Sequence, residues 1–159
     1  MMQEIERKYL VSSEEFRSQA VRCVKMAQGY ICHHRTTARI RIADDEAYLT
    51  FKGKSRNGGL SRFEWERRIP ASVGRLLLER CRLKVEKCRY YVPYEGYTFE
   101  VDLFEGDNAG LIVAEVELQR CDENPPLPQW IWKEVTGSKF YHNSMLAQFP
   151  YKLWGGAGE

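Results

Sequence analysis

Charged and apolar residues alternate with a period of two along much of the chain. Near the N-terminus, Glu4, Glu6 and Lys8 alternate with Ile5 and Tyr9. Successive side chains of a β-strand point to opposite faces, so this spacing predicts a strand with one charged face and one apolar face. The same alternation recurs in residues 38–42, 51–54, 62–69, 87–90, 100–103 and 115–118.

Strand-forming and turn-forming residues divide most of the chain into strands with short connections. Turn sequences such as Asn57-Gly58-Gly59 and Glu95-Gly96 separate segments rich in β-branched and aromatic residues. Short connections favour antiparallel pairing, and the expected fold class is therefore α+β, dominated by β. The predicted strands, besides the N-terminal one, are residues 30–43, 47–54, 61–69, 85–93, 97–104 and 111–119.

Helices are predicted at the few places where capping residues precede an apolar run. Ser12 and Glu15 have capping-box spacing, which predicts a helix from there to Val21. Pro70 suits the first turn of a second helix that carries three consecutive leucines. Two shorter helical pieces are expected at residues 127–133 and 143–149. Residues 1–154 are expected to form a single domain, and the glycine-rich residues 155–159 a disordered end.

The composition excludes several classes of protein. Hydrophobic residues make up 43% of the chain and charged residues 29%, as in soluble globular proteins. The net charge of +2 gives no support to a nucleic-acid-binding surface. The five cysteines are scattered without a Cys-x-x-Cys pair, which indicates free thiols in a reducing compartment. No signal region or apolar run of about 18 residues is present, so we expect a cytoplasmic protein without a membrane partner.

The alternation alone leaves two orientations of the sheet open. The charged stripes could face water around an apolar core, or they could line the interior of a barrel wide enough for a ligand. Doublets of one sign, such as Arg39 with Arg41 and Glu115 with Glu117, favour the interior. Neighbouring carboxylates repel each other unless a cation lies between them, and clustered carboxylate oxygens suit Mg²⁺ or Mn²⁺.

A resemblance to a known family favours the interior orientation. The segment Glu4-Ile5-Glu6-Arg7-Lys8 matches the Glu-x-Glu-x-Lys signature of the CYTH family, or triphosphate tunnel metalloenzymes. The resemblance covers about residues 3–147, and the chain is similar to the short bacterial members of the family, which are most often inorganic triphosphatases. It implies an eight-stranded antiparallel β-barrel, open as a tunnel, with the charged doublets inside and a few flanking helices. Later matches follow in the expected order at residues 39–41, 50–53, 62–66, 87–90, 100–102, 115–117 and 134–137.

The resemblance also implies a role for each inward-facing charged residue. Glu117 and Lys8 would be the catalytic residues, and either the Glu117 carboxylate or a second metal ion would position and activate the attacking water. The metal ligands, for Mg²⁺ or Mn²⁺, would be Glu4, Glu6, Glu115 and Glu117. The triphosphate would be held by Lys8, Arg39, Arg41, Lys52, Lys87 and Arg89, with Arg62 as a further member. The remaining inward-facing acidic residues would form ion pairs with these cations or contribute to a second metal position. They are Glu64, Glu66, Glu100 and Asp102.

Several functions remain open at this stage. The leading hypothesis is hydrolysis of inorganic tripolyphosphate or a related triphosphate. The alternatives are a class IV-type adenylate cyclase, a thiamine triphosphatase, or a non-catalytic module that binds polyphosphate or nucleotide. No base-reading motif supports the cyclase.

Some residues that could carry chemistry receive no role from the sequence. His33, His34 and His142 are left unassigned, and Lys54 fits the alternation but adjoins a turn. If the charges face inward, Trp65, Tyr90 and Val92 face outward and need a cover of helices or of a second subunit, which leaves a homodimer open.

Overall fold

The computed structural model, which describes residues 2–33 and 36–155, contains one antiparallel sheet that closes on itself. Its order is β5-β4-β3-β2-β6-β7-β8-β1-β9, and a further pairing of β5 with β1 closes strands β1–β8 into a barrel. The strands are β1 Met2–Val11, β2 Arg22–His33, β3 Thr37–Ala43, β4 Glu46–Arg56, β5 Ser61–Ile69, β6 Leu83–Tyr94, β7 Tyr97–Phe104, β8 Ile112–Glu117 and β9 Ile131–Glu134. The α-helices are α1 Phe16–Gln19, α2 Ala71–Arg80 and α3 Asn143–Gln148.

Strand β1 closes the barrel because its two halves pair with different neighbours. Its first residues pair with β5, where Glu4 lies opposite Arg62. From Glu6 onward it pairs with β8, and its last residues also pair with the short β9. The predicted eight-stranded antiparallel barrel is therefore confirmed, with β9 as an additional strand at its edge.

The charged faces of the strands point into the barrel, and the apolar faces form its outer wall. Outward-facing residues such as Val92 and Val116 lie buried under Phe16 of α1 and under Trp130. Helix α2 covers β3 and β4 closely, since a Cβ added at Gly74 would lie 2.4 Å from the Ala47 Cβ. The inward orientation of the charges is thereby established. We refer to the interior of the barrel as the bore.

The bore is closed at one end by an apolar cluster. Beyond Lys8, Lys87 and Glu115, the inward-facing stripes continue with apolar residues. Tyr141 and Leu146 of the C-terminal segment, residues 139–154, pack against them within one buried cluster. The inward-facing apolar members of this cluster are Leu10, Tyr30, Val85 and Val113.

The outer wall has an exposed aromatic patch. The predicted cover is present over Val92, which is fully buried, and over Tyr90, whose ring meets Phe16 edge-on at 5.3 Å. Trp65 lacks such a cover: it is 42% exposed and contacts Phe51 at a ring distance of 5.5 Å.

The strands predicted at residues 47–54, 61–69, 85–93, 97–104 and 111–119 are confirmed as β4 to β8, and the secondary-structure predictions were wrong at three places. The segment predicted as one strand at residues 30–43 contains the end of β2 and all of β3, which pair with each other. The helix predicted at residues 12–21 is only the four-residue α1, because Ser12 donates from both its N–H and its Oγ to the Trp130 carbonyl instead of capping a helix.

The third error is the helix predicted at residues 127–133. This segment contains a turn at residues 129–130, and its last three residues belong to β9. Pro126 and Pro128 have no N–H to donate, and a proline also disfavours the helical conformation of the residue before it. The helices predicted at Pro70 and at residues 143–149 are confirmed as α2 and α3.

Two sequence-based expectations lie outside the described residues: His34, and the disordered end except for Gly155. Within residues 2–33 and 36–155, no helix is long and apolar enough to cross a membrane.

Candidate functional site

The bore forms a polar cavity with a volume of about 230 Å³. Every strand from β1 to β8 contributes side chains to it, charged ones from seven of the strands and Tyr30 alone from β2. The C-terminal segment contributes three more residues. The charged lining residues are Glu4, Glu6, Lys8, Arg39, Arg41, Lys52, Arg62, Glu64, Glu66, Lys87, Arg89, Glu100, Glu115 and Glu117, and the others are Tyr30, Thr37, Ser55, Tyr91, His142, Asn143 and Ser144.

The basic residues of the bore are largely withdrawn from solvent. Lys8, Arg39 and Arg89 are each 8% exposed, and Lys87 is 1% exposed. The Nε atoms of Arg39 and Arg41 are buried and have no hydrogen-bond partner in the part of the chain that the structure describes. Buried donors without acceptors are costly, so this side of the bore is prepared for a ligand that brings acceptor oxygens.

Carboxylates hold the basic residues of β3 and β4 in place. The Arg41 guanidinium donates to Glu66 at 2.9 Å, and Lys52 Nζ donates to Glu4 at 2.9 Å. Glu64 lies 3.8 Å from Lys52 and 4.0 Å from Arg39. These pairs reduce the mutual repulsion of the cations when no anion is bound.

Asp102 joins the two basic residues that β6 presents to the bore. It is 1% exposed and is not among the residues that line the cavity, and it accepts from Lys87 Nζ at 2.7 Å and from Arg89 Nε at 2.7 Å. Burial alone would raise the pKa of the Asp102 carboxyl, but Arg89 and Lys87 hold it below its usual value. Burial and the neighbouring Arg89 lower the pKa of Lys87 to about 8. Glu100 adds a pair with Arg89 at 2.7 Å.

One acidic residue of β1 lies directly opposite an acidic residue of β8. In the strand register Glu6 lies opposite Glu117, and Lys8 lies opposite Glu115. Directly opposed like charges on neighbouring strands destabilise a sheet unless a cation lies between them. Burial, with the charges of Glu115 and Glu4, raises the pKa of Glu6 well above its usual value. Glu115 differs, since Lys8 and Arg89 outweigh its burial and hold its pKa well below the usual value.

This acidic group fits a divalent cation in donor type and in charge. Oxygen ligands from carboxylates are what Mg²⁺ and Mn²⁺ prefer, and the repulsion at Glu6 is what such a cation relieves. As the side chains stand, no three carboxylate, histidine or cysteine groups among the described residues converge on one point. The reason is visible in the contacts, because Glu4 is turned toward Lys52 and Glu115 lies 3.3 Å from Lys8.

The structure brings together nearly every residue that the sequence predicted for the site. Asp102 is the exception, because it contacts Lys87 and Arg89 without lining the cavity, and Lys54 is absent from the lining described. The roles of the individual residues remain predictions.

The sequence missed several lining residues, for two different reasons. Thr37 and Tyr91 lie two positions from Arg39 and Arg89, so the period of two already marked their face. His142, Asn143 and Ser144 enter the bore from a helix start, and strand periodicity gives no signal for them. Burial and the charges of Lys8 and Arg62 lower the pKa of His142 to about 4.

Comparisons with known proteins agree on one family. The family model described as the CYTH domain matches residues 2–146. A protein of Acetivibrio thermocellus named inorganic triphosphatase is 44% identical over 157 residues, covering 96% of this chain and 97% of the relative. A protein of Nitrosomonas europaea with the same name is 35% identical over 161 residues, covering 92% and 97%. A crystal structure described as the inorganic triphosphatase NE1496 superimposes with a TM-score of 0.66 at 32% identity, covering 92% of this chain and 95% of the other.

Proposed function

The chain belongs to the CYTH family, and from this membership we propose that it is a divalent-metal-dependent triphosphatase that hydrolyses inorganic tripolyphosphate. The observation that carries the proposal is the set of cations converging on one small bore, two of them with buried Nε donors that have no partner among the described residues. Tripolyphosphate is rich in acceptor oxygens and in negative charge. It would therefore supply acceptors to these donors and counter-charge to the cations. Arginine forks suit pairs of phosphate oxygens, and the lysines add point charges.

The size and character of the bore favour an inorganic substrate. Its volume of about 230 Å³ is below the roughly 300–1,000 Å³ typical of sites that enclose drug-sized ligands. The lining is dominated by charged side chains, and it offers little apolar surface to an adenine or thiazolium ring. We therefore rank inorganic tripolyphosphate above ATP and thiamine triphosphate.

Glu4, Glu6, Glu115 and Glu117 would hold the divalent ion, which we propose to be Mg²⁺ or Mn²⁺. Such an ion supplies charge neutralisation and polarisation at the phosphate oxygens. Glu4 would become available for this role when phosphate oxygens draw Lys52 away from it. The contacts of Lys52 with Glu4 at 2.9 Å and with Glu64 at 3.8 Å support this exchange, because Lys52 already lies between two acceptors.

The remaining steps of the reaction would be performed by the chain's own side chains. Glu117, the most exposed of the four carboxylates, would accept a proton from a water molecule as it attacks phosphorus. Lys8 would orient this water and the attacked phosphate group. The P–O bond to the leaving group breaks, and orthophosphate and pyrophosphate result. Arg89 would oppose the charge that develops on the leaving oxygens, and Lys87 would bind a phosphate group of the substrate.

A product panel tests the proposal directly. The protein is incubated with tripolyphosphate, ATP and thiamine triphosphate, each with Mg²⁺, with Mn²⁺ or with EDTA, and the products are identified. We expect orthophosphate and pyrophosphate from tripolyphosphate, with the metals only. Cyclic AMP from ATP would select the cyclase, faster hydrolysis of thiamine triphosphate would select that enzyme, and binding without any product would select the non-catalytic module.

Replacing Arg41 by alanine is expected to raise KM for tripolyphosphate about tenfold or more. The substitution removes a charge-assisted contact with phosphate, and such contacts contribute about 1.5–3 kcal/mol. Arg68→Ala is the matched control, because Arg68 is an exposed arginine of β5 paired with Glu46 at 3.3 Å. Steady-state kinetics of both variants make the comparison. Equal KM values for Arg41→Ala and Arg68→Ala would place Arg41 outside the substrate site.

We also propose the cytoplasm as the compartment of this enzyme. The free thiols of Cys23, Cys81, Cys88 and Cys121 support a reducing environment.

A further inference from the structure

The C-terminal segment places an amide against one of the buried lysines of the bore. Asn143 is the first residue of α3 and belongs to the lining. Its Oδ1 accepts from Lys87 Nζ at 2.8 Å. Asn143 has no charge and lies outside the strand alternation, so the roles assigned above to the charged stripes do not include it.

The surroundings of Lys87 determine the direction of its remaining N–H bond. A lysine ammonium has three N–H donors and no acceptor. Two of them are used by fixed acceptors, Asp102 Oδ2 at 2.7 Å and Asn143 Oδ1 at 2.8 Å. Lys87 is 1% exposed, so bulk water does not compete for these contacts. Because Lys87 also lines the bore, its third N–H is the one left for a ligand there.

Asn143 is itself held in one orientation. Lys87 can only donate, so the amide atom facing it must be the oxygen. The same oxygen accepts from Gln28 Nε2 at 3.2 Å, and Gln28 Nε2 also donates to Tyr30 Oη at 3.0 Å. Gln28 is fully buried in β2. The barrel wall therefore fixes the amide plane of Asn143, and the amide in turn fixes the ammonium of Lys87.

We propose that Asn143 is a positioning residue for substrate binding, which acts by holding the Lys87 ammonium with one N–H directed at a phosphate group. This inference rests on the proposed function, since it concerns the binding of tripolyphosphate in the same bore. It assigns to the C-terminal segment a direct influence on affinity, beyond closing the end of the barrel.

The test is a double-mutant cycle on Asn143 and Lys87, read out as binding. The dissociation constant of inorganic tripolyphosphate is measured by titration calorimetry in EDTA, which prevents turnover. We expect Asn143→Ala to weaken binding about tenfold. In a Lys87→Met background the same substitution should change the dissociation constant less than about twofold, because the group it positions is gone.

Two controls separate positioning from a loss of structure. Gln148→Ala changes an exposed residue of the same helix and should bind as the wild type does. Thermal unfolding of all variants identifies any that are not folded. With Mg²⁺ present, Asn143→Ala should raise KM about tenfold and lower kcat less than about threefold, whereas a general loosening of α3 would lower both stability and kcat.

The outcomes distinguish this inference from the proposed function. Wild-type affinity in Asn143→Ala, or an equal loss in both backgrounds, would overturn the positioning role while leaving the triphosphatase proposal intact. A wild-type protein that neither binds nor hydrolyses tripolyphosphate would overturn the proposed function, and this inference with it.

Discussion

Replacing Glu6 by glutamine is expected to abolish metal-dependent hydrolysis and, at the same time, to make the protein more stable. Glu6 is a partly buried carboxylate that lies opposite Glu117 and near Glu115 and Glu4. Glutamine keeps the shape and removes the charge, so the repulsion is relieved without a metal. We expect the free energy of unfolding to increase by about 0.5–2 kcal/mol, as for other stabilising substitutions, and kcat/KM to fall about 100-fold or more.

The pH dependence of this stabilisation has a definite sign. Burial and the neighbouring carboxylates raise the pKa of Glu6 in the folded protein, so the fold binds its proton more tightly than the unfolded chain does. The wild type therefore loses stability as pH rises from the unfolded pKa, about 4.3, through the raised folded value. Glu6→Gln does not titrate, so its advantage should be small at pH 4 and fully developed above the folded pKa.

Metal titration and a matched variant complete the experiment on Glu6. Mg²⁺ or Mn²⁺ should raise the melting temperature of the wild type, because a ligand of the folded state stabilises it, and should have little effect on Glu6→Gln. Glu79→Gln, an exposed glutamate of α2, is the control and should change neither stability nor rate appreciably. Near-normal turnover in Glu6→Gln at saturating Mg²⁺ would exclude Glu6 as a metal ligand.

Replacing Asp102 by alanine is expected to destabilise the fold by about 3–5 kcal/mol, the usual cost of leaving a buried charge without its partner. Asp102 accepts from both Lys87 and Arg89 and is 1% exposed. Glu100, paired with Arg89 at 2.7 Å, compensates only one of the two cations. Asp107→Ala is the control, since its ion pair with Lys152 is exposed and contributes about 0–1 kcal/mol.

Denaturant unfolding at several pH values measures this effect. Because Arg89 and Lys87 lower the pKa of Asp102 in the fold, its stabilising contribution is present above the unfolded pKa, about 3.9, and disappears as pH falls through the folded value. The difference between wild type and Asp102→Ala should therefore shrink in acid. A difference below about 1 kcal/mol at pH 7 would contradict the central role given to Asp102.

The barrel strands could be predicted because charged and apolar residues alternate along consecutive positions, and this alternation defines the two faces of each strand. The stripe Glu4, Glu6 and Lys8 shows its spacing directly, and the resemblance to a family decided which side faces the bore. The wrong strand at residues 30–43 has a physical origin, because β2 presents few charges inward. Its inner residues include Val24, Met26 and Gln28, all buried.

The parts of the site that could not be predicted depend on contacts between distant segments. Asn143 meets Lys87 across a separation of 56 residues. The pairing of β1 with both β5 and β8 likewise joins the beginning of the chain to two later strands. The helix expected at residues 127–133 is a different kind of error, because local sequence was enough to avoid it. Pro126 and Pro128 already disfavoured a helix there.

The location of the apolar clusters has a consequence for how this barrel tolerates change. Tyr9, Val92, Phe99 and Val116 give the domain its cohesion from the outside, and Leu10, Val85 and Leu146 do so at the closed end. The charged side chains between these clusters contribute to binding and catalysis more than to stability. The exception is Asp102 with its partners Lys87 and Arg89. Selection can therefore alter what the lining recognises while the hydrophobic framework stays the same, so one architecture can acquire new substrates without first being rebuilt.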